Sequence, residues 1–500
     1  MTSTLSDNSP VMRAMRPRSR RCRRAATAAT AMLLLLAACE PRSAALESDL
    51  TQPPPLDEPA DLTLPTPVTR DLDNGLRVVV VEHHELPLVD VQLLIASGGE
   101  ADPADRLGLA SFTASALMEG AGDRSSLEIA DQEAYLGVSL RTNARFEQSL
   151  IALHTPTAQL DSALALFADV ALRPTFPAAE IDRLRQTRLT GLLQLRDRGP
   201  AIADRAYARI LFGNEHPYGR PLGGDEAGTA ALTADDVRTF YETYYRPNNA
   251  TLLVVGDVDP ADVERRANAI FGAWARDTVP AVAYPSPAES RPTTIYLIDK
   301  PGAAQSSFRI GLVGVPRSTP DFFAIEVMNT VLGVPFTSRL NNNLRETRGY
   351  TYGARSRFDM RRSAGPFTAS AEIVAAKSDS ALIEFMKELN AIRDTVPADE
   401  LLKARRYLRN QMPAAFETTG DIAGQLSELI QYDLPLDFYN GYSQGIAAVT
   451  QADVQRVAQQ YIDPGHLAIV IVGDRKLIEP GLRALGMAPV VEETLQSAAP

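Results

Sequence analysis

Cysteine occurs only twice in 500 residues, at Cys22 and Cys39. Cys22 lies in a segment with the marks of a secretory signal, so the processed chain has no thiol pair to oxidise. Packing, not disulfides, must then stabilise it in an oxidising compartment. Histidine is scarce too: His83, His84, His154, His216 and His466 are the full set, and none has a histidine four residues on. That excludes a helical two-histidine metal motif. His83-His84-Glu85 precedes Leu86-Pro87 and reads as a solvated hairpin turn, and His216, before Pro217, as a loop residue. Past the N-terminal segment no apolar run is long enough to span a bilayer. Positive charge is in deficit, with 50 Lys and Arg against 62 Asp and Glu and a formal net charge of -12. Such a body argues against nucleic acid as a partner and against adhesion to anionic lipid by charge.

The N-terminus carries a basic cluster, Arg13, Arg16, Arg18, Arg20, Arg21, Arg23 and Arg24, then an apolar run from Ala25 to Leu36. Leu36-Ala37-Ala38-Cys39 resembles the lipobox of bacterial lipoproteins, which makes residues 1–38 the signal and Cys39 the lipidated residue. An ordinary signal peptide with a chance cysteine and an uncleaved anchor are the alternatives. Met12 and Met15 are candidate starts for a shorter signal. Glu40, where Asp would favour inner-membrane retention, points to the periplasmic face of the outer membrane. Residues 39–67, with Pro53-Pro54-Pro55, read as an extended tether, at about 3 Å per residue long enough to hold a body tens of ångströms from a membrane. A second Pro-rich stretch, residues 276–293, divides the body into residues 68–275 and 294–487, with a tail over 488–500.

The two halves repeat. Leu232-Thr233-Ala234-Asp235-Asp236-Val237 is matched by Val449-Thr450-Gln451-Ala452-Asp453-Val454. At the same offset Tyr244 falls on Tyr461, Pro247 on Pro464, and Leu252-Leu253-Val254-Val255-Gly256-Asp257 on Ile469-Val470-Ile471-Val472-Gly473-Asp474. A helix entered at Thr, a Pro turn and a buried strand ending in Gly-Asp thus occur twice in one order, a duplicated α+β domain. Asn74-Gly75 predicts a turn before a strand at Leu76–Val81. Val89, Val91 and Leu93 alternate with Asp90 and Gln92, which predicts a half-buried strand. Ile295–Ile298 and Phe308–Val313 take these places in the second half. Helices are predicted at Leu107–Met118, Ser126–Leu136, Leu160–Leu172, Asp321–Leu332 and Ser378–Ile392.

Several motifs stand in one order: Asn74-Gly75-Leu76-Arg77, Gly108-Leu109-Ala110, His216-Pro217-Tyr218-Gly219-Arg220-Pro221, Tyr245-Arg246-Pro247-Asn248-Asn249, and Thr337-Ser338-Arg339-Leu340 leading to Leu344-Arg345-Glu346-Thr347-Arg348-Gly349-Tyr350-Thr351-Tyr352. Over roughly residues 68–487 the chain resembles the pitrilysin/insulinase zinc peptidases. The resemblance implies two homologous domains forming one half of a clamshell, each a mainly antiparallel sheet covered by helices.

Active members carry H-x-x-E-H directly after Gly-x-Ala, two histidines for zinc and a glutamate to activate water. Here Gly108-Leu109-Ala110 leads into Ser111-Phe112-Thr113-Ala114-Ser115. Both histidine positions are Ser, at Ser111 and Ser115, and the glutamate position is Ala114. The third ligand, a Glu in the family, falls near Gly191. The resemblance therefore implies a lost metal site and no cofactor in this chain. It also implies a retained pair, Arg345 and Tyr352, an anchor for a substrate carbonyl and a donor to the developing oxyanion. Tyr350 is the weaker candidate for the second role.

A zinc-less first half with an Arg/Tyr-bearing second half is similar to the partner subunit of bacterial two-chain members. That implies a zinc-bearing paralogue as partner, peptides as substrates and a lipid anchor. The alternative is a catalytically inactive peptide-binding or assembly protein.

Overall fold

A computed structural model describes residues 64–287 and 291–494. The signal, Cys39 and nearly all of the tether lie outside the described residues.

The first sheet takes β1 (Val68–Asp71), β2 (Arg77–Glu82) and β3 (Leu88–Ile95), then β6 (Ser139–Ala144), β7 (Ser149–Pro156) and β8 (Ala250–Gly256). A short ribbon, β4 (Gly120–Ala121) with β5 (Arg124–Ser125), stands apart from it. The second sheet takes β9 (Thr294–Asp299), β10 (Gln305–Val313), β11 (Thr351–Phe358), β12 (Pro366–Val374), β13 (Ala468–Gly473) and β14 (Val490–Glu493). The strand orders are β1-β2-β8-β3-β7-β6 and β14-β9-β13-β10-β12-β11. Read this way the two sheets correspond strand for strand. Most pairings are antiparallel, with β2–β8, β9–β13 and β9–β14 parallel. The outer strand comes from opposite ends of the chain, β1 in one sheet and β14 in the other. Residues 490–493, within the segment read as a tail, therefore belong to the second sheet.

Local chemistry explains the repeated elements. Helices Ala234–Tyr244 and Gln451–Tyr461 both begin with a capping box: Thr233 with Asp236, and Thr450 with Asp453. Each helix leads to a central strand, β8 or β13, that is buried along its whole length. Asn74-Gly75 forms the β1–β2 turn, with Gly75 at φ +89°. By contrast β2 and β3 are not a hairpin. β8 lies between them, so His83-His84-Glu85 is a crossing loop, where His84 pairs with Asp257 at 2.8 Å.

The halves exchange helices. Helix Gly199–Phe212 belongs to the first half by sequence but packs on the second sheet, where Ile202, Ala206 and Tyr207 meet Tyr296, Ile298 and Val470. Helix Thr419–Gln431 of the second half packs on β3 and β8 of the first sheet. Val79, Val81, Leu94, Leu253 and Val255 accordingly share a core with Ile422, Ala423 and Leu426. This corrects the half-buried reading of β3: Asp90 and Gln92 are buried beneath the incoming helix. Asp90 accepts from Thr419 Oγ1 and pairs with His154 Nδ1 at 3.0 Å. The Pro-rich linker is more than a spacer as well, because Tyr284 packs against His216 and Tyr218.

Candidate functional site

In the first half, helix Leu109–Ala116 starts at Gly108, whose φ is +84° and whose Cβ, were there one, would lie 2.7 Å from Gly224. Only glycine fits so close an approach at that angle. Asp102 holds the helix entrance, accepting from Gly108 N and Ala110 N at 2.7 Å each. Burial pushes its carboxyl up to about 7, against the pull of those amides and of Arg188 and Arg220.

Ser111 and Ser115 lie one turn apart, as the spacing predicts. Ser111 Oγ lies 3.0 Å from both Gly108 O and Leu222 O, and Ser115 Oγ donates to Ser111 O at 3.0 Å. Ala114 is fully buried. Gly191, on helix Ala178–Leu195, has open space where a side chain would stand. One turn before it sits a residue the sequence reading missed. Arg188 Nη1 donates to Ser111 Oγ at 2.9 Å and to Gly108 O at 3.0 Å, and its guanidinium lies 5.0 Å from the centre of the Phe112 ring. Burial pushes Arg188 down to about 10. The signal that could have found it is its place on the helix face of the expected third ligand.

Zinc does not fit these residues. The two hydroxyls are neutral and engaged with backbone, Ala114 and Gly191 offer no donor atom, and a guanidinium bonds the first ligand position. The groove here has a volume of about 710 Å³ and is bordered by Thr142, Asn143 and Ala144 of β6, the edge strand of the first sheet.

In the second half the structure brings Arg345 and Tyr352 together. Arg345 sits on a π-helical turn, Asn342–Thr347. Its guanidinium lies between two rings, 4.2 Å from the Phe336 centroid and 5.0 Å from that of Tyr352. Tyr352 is 88% exposed, on edge strand β11, where the register shifts between Thr351 and Ala354. A bulge of this kind turns a side chain out of the regular alternation. Gly333 lets the strand approach: a Cβ there would meet Ser356 N at 2.3 Å. Asn341 ties the loop to the strand, donating to Phe336 O at 2.6 Å and accepting from Ala354 N at 3.3 Å. Tyr350 packs against the core, and Arg339 and Arg348 pair with Glu400 and Glu384. His216 is buried, with Nδ1 accepting from Tyr218 N at 3.0 Å, and burial lowers its pKa.

The profile of the insulinase family (peptidase family M16) matches residues 77–214, and that of the M16 inactive domain matches residues 231–408. An uncharacterized zinc protease of Mycobacterium leprae is 26% identical over 411 residues, 80% of this chain and 90% of that protein. The peptidase M16 inactive domain from Pseudomonas fluorescens superposes with a TM-score of 0.77 at 27% identity, covering 81% of this chain and 98% of that one. The first half of the periplasmic protease PqqL from Escherichia coli shares the fold, with a TM-score of 0.66 at 18% identity over 86% of this chain and 97% of that one. With both halves of the body matched and the sheets duplicated as described, this chain belongs to the insulinase-like M16 peptidase family.

Proposed function

We propose that this chain is the non-zinc subunit of a two-chain peptidase, lending Arg345 and Tyr352 to a paralogue that carries the metal. The observation that carries the reading is the contrast between the halves. The metal-site positions are Ser, Ala, Ser and Gly, whereas Arg345 and Tyr352 converge on an exposed sheet edge. Stacking on two rings and an ion pair of Nε with Glu346 at 3.5 Å restrict the Arg345 side chain, and its terminal N–H groups are left to hold a peptide carbonyl. The Tyr352 hydroxyl, with no acceptor among the described residues, is free to donate to an oxyanion. Peptides are the substrate class, and zinc is assigned to the partner alone.

The test is reconstitution. The purified chain and a zinc-motif paralogue from the same genome are assayed separately and mixed, on a quenched fluorogenic peptide. Turnover of the mixture above the paralogue's own supports the reading, and no gain at any ratio refutes it. A second reading, peptide binding without catalysis, is favoured by the groove along β6.

Export completes the proposal. Among the described residues no helix is long and apolar enough to cross a membrane. Attachment is assigned to an acylated Cys39, on the periplasmic face of the outer membrane.

A further inference from the structure

Among the described residues Arg188 has no ion-pair partner. Nη1 is engaged by Gly108 O and Ser111 Oγ. Asp102, the acid whose field reaches it, has its oxygens on the amides of Gly108 and Ala110 and forms no ion pair with it. Among the described residues no carboxylate pairs with Arg188, and no protein acceptor engages Nε or Nη2. Those two nitrogens form the side-on edge of the guanidinium, with parallel N–H vectors matched to the two oxygens of a carboxylate. The groove supports that match. Among the described residues Arg188 is its one charged lining residue; Ser115, Thr187 and Gln194 are neutral and polar, and Leu184, Leu192 and Leu195 are apolar. Beside them runs β6, paired within the sheet on one side only.

We propose that this groove binds an extended peptide by a carboxylate, received on the Nε–Nη2 edge of Arg188. A cation thus stands at the lost metal site, and its chemistry selects an anionic group on the ligand. The carboxylate is either the C-terminus of the peptide or an acidic side chain. The inference rests on peptides being the substrate class, and it is independent of any zinc in a partner.

The test uses the full chain and a fluorescein-labelled ten-residue peptide of otherwise neutral residues, followed by anisotropy. Three forms are compared: a free C-terminal acid, a C-terminal amide, and the amide with one internal Glu. At least one carboxylate form is expected to bind roughly tenfold tighter than the plain amide, the usual scale of a charged hydrogen-bonded pair. The form that gains identifies the source of the carboxylate. Arg188→Gln is expected to abolish the preference and Arg188→Lys to keep part of it, an order that a purely structural arginine would not produce. Equal binding of all three forms to the wild-type chain overturns the proposal, and so does binding of none; neither outcome depends on a variant folding. A preference that survives in a folded Arg188→Gln chain overturns it too. Equal binding together with peptidase activity on mixing with the paralogue removes this inference and leaves the proposed function standing. A clear preference without such activity does the reverse.

Discussion

At the residue scale, the proposed function has Arg345 and Tyr352 divide one task. Arg345 can engage a substrate carbonyl before reaction, so Arg345→Ala in the mixed complex should raise KM and lower kcat together. Arg345→Lys should recover only part of the loss, because an ammonium lacks the planar fork and stacks poorly between Phe336 and Tyr352. Steady-state kinetics check this, and full rescue by Lys would reduce the role of Arg345 to simple charge. This pair was legible in the sequence because its motif and its spacing of seven residues are local. Arg188 was not legible in the same way. The family spacing pointed to Gly191, and only the helix brings a side chain from one turn earlier onto Ser111.

At the scale of elements, the turn Gly99–Ala101 and the helix entrance behind it hold two buried acids. Burial pushes Glu100 up to about 8 and Asp102 up to about 7, and Glu147 adds repulsion to Glu100. A carboxyl whose pKa rises on folding holds its proton more tightly in the folded state. Its contribution is therefore most favourable below the ordinary carboxylate range and is lost as pH rises toward the folded value. Glu100→Gln removes one such slope. Between pH 6 and pH 9 the urea midpoint of wild type should fall more than that of Glu100→Gln, and parallel profiles would contradict the assignment. Elements with local signals, such as the Thr-capped helices and the Asn74-Gly75 turn, could be read from the sequence. The burial of Asp90 and Gln92 could not, because the helix that covers them, Thr419–Gln431, arrives more than 300 residues later. The β2–β3 hairpin failed for the same reason, as β8 inserts from far along the chain.

At the scale of the whole molecule, the exchanged helices make each half's sheet depend on the other half. Leu426, buried on helix Thr419–Gln431, belongs to the core that reaches Val79 and Leu253 of the first sheet. Leu426→Ala should cost about 2–5 kcal/mol, the usual range for truncating a buried leucine. The loss should be felt by both halves. Trp274, the one tryptophan of the chain, is half-buried and packs against the core of the first half. Its fluorescence should therefore report a lowered urea midpoint for a substitution in the second half, in step with far-UV circular dichroism. An unmoved Trp274 transition would mean that the halves unfold separately. Such coupling would also fix the distance between the Arg188 groove and the Arg345–Tyr352 edge.

The central claim is a division of labour in which the second half acts on the substrate and the former metal helix does no chemistry. The most direct measurement compares Tyr352→Phe with Ser115→Ala in the reconstituted complex, at saturating peptide. Tyr352→Phe should lower turnover about 100-fold, the scale of one oxyanion donor, about 3 kcal/mol. Ser115→Ala removes a hydroxyl that is bonded to Ser111 O and lines the groove; at saturating peptide, where affinity no longer limits the rate, it should leave turnover unchanged. Loss of activity in Ser115→Ala with full activity in Tyr352→Phe would place the chemistry in the first half and contradict the account.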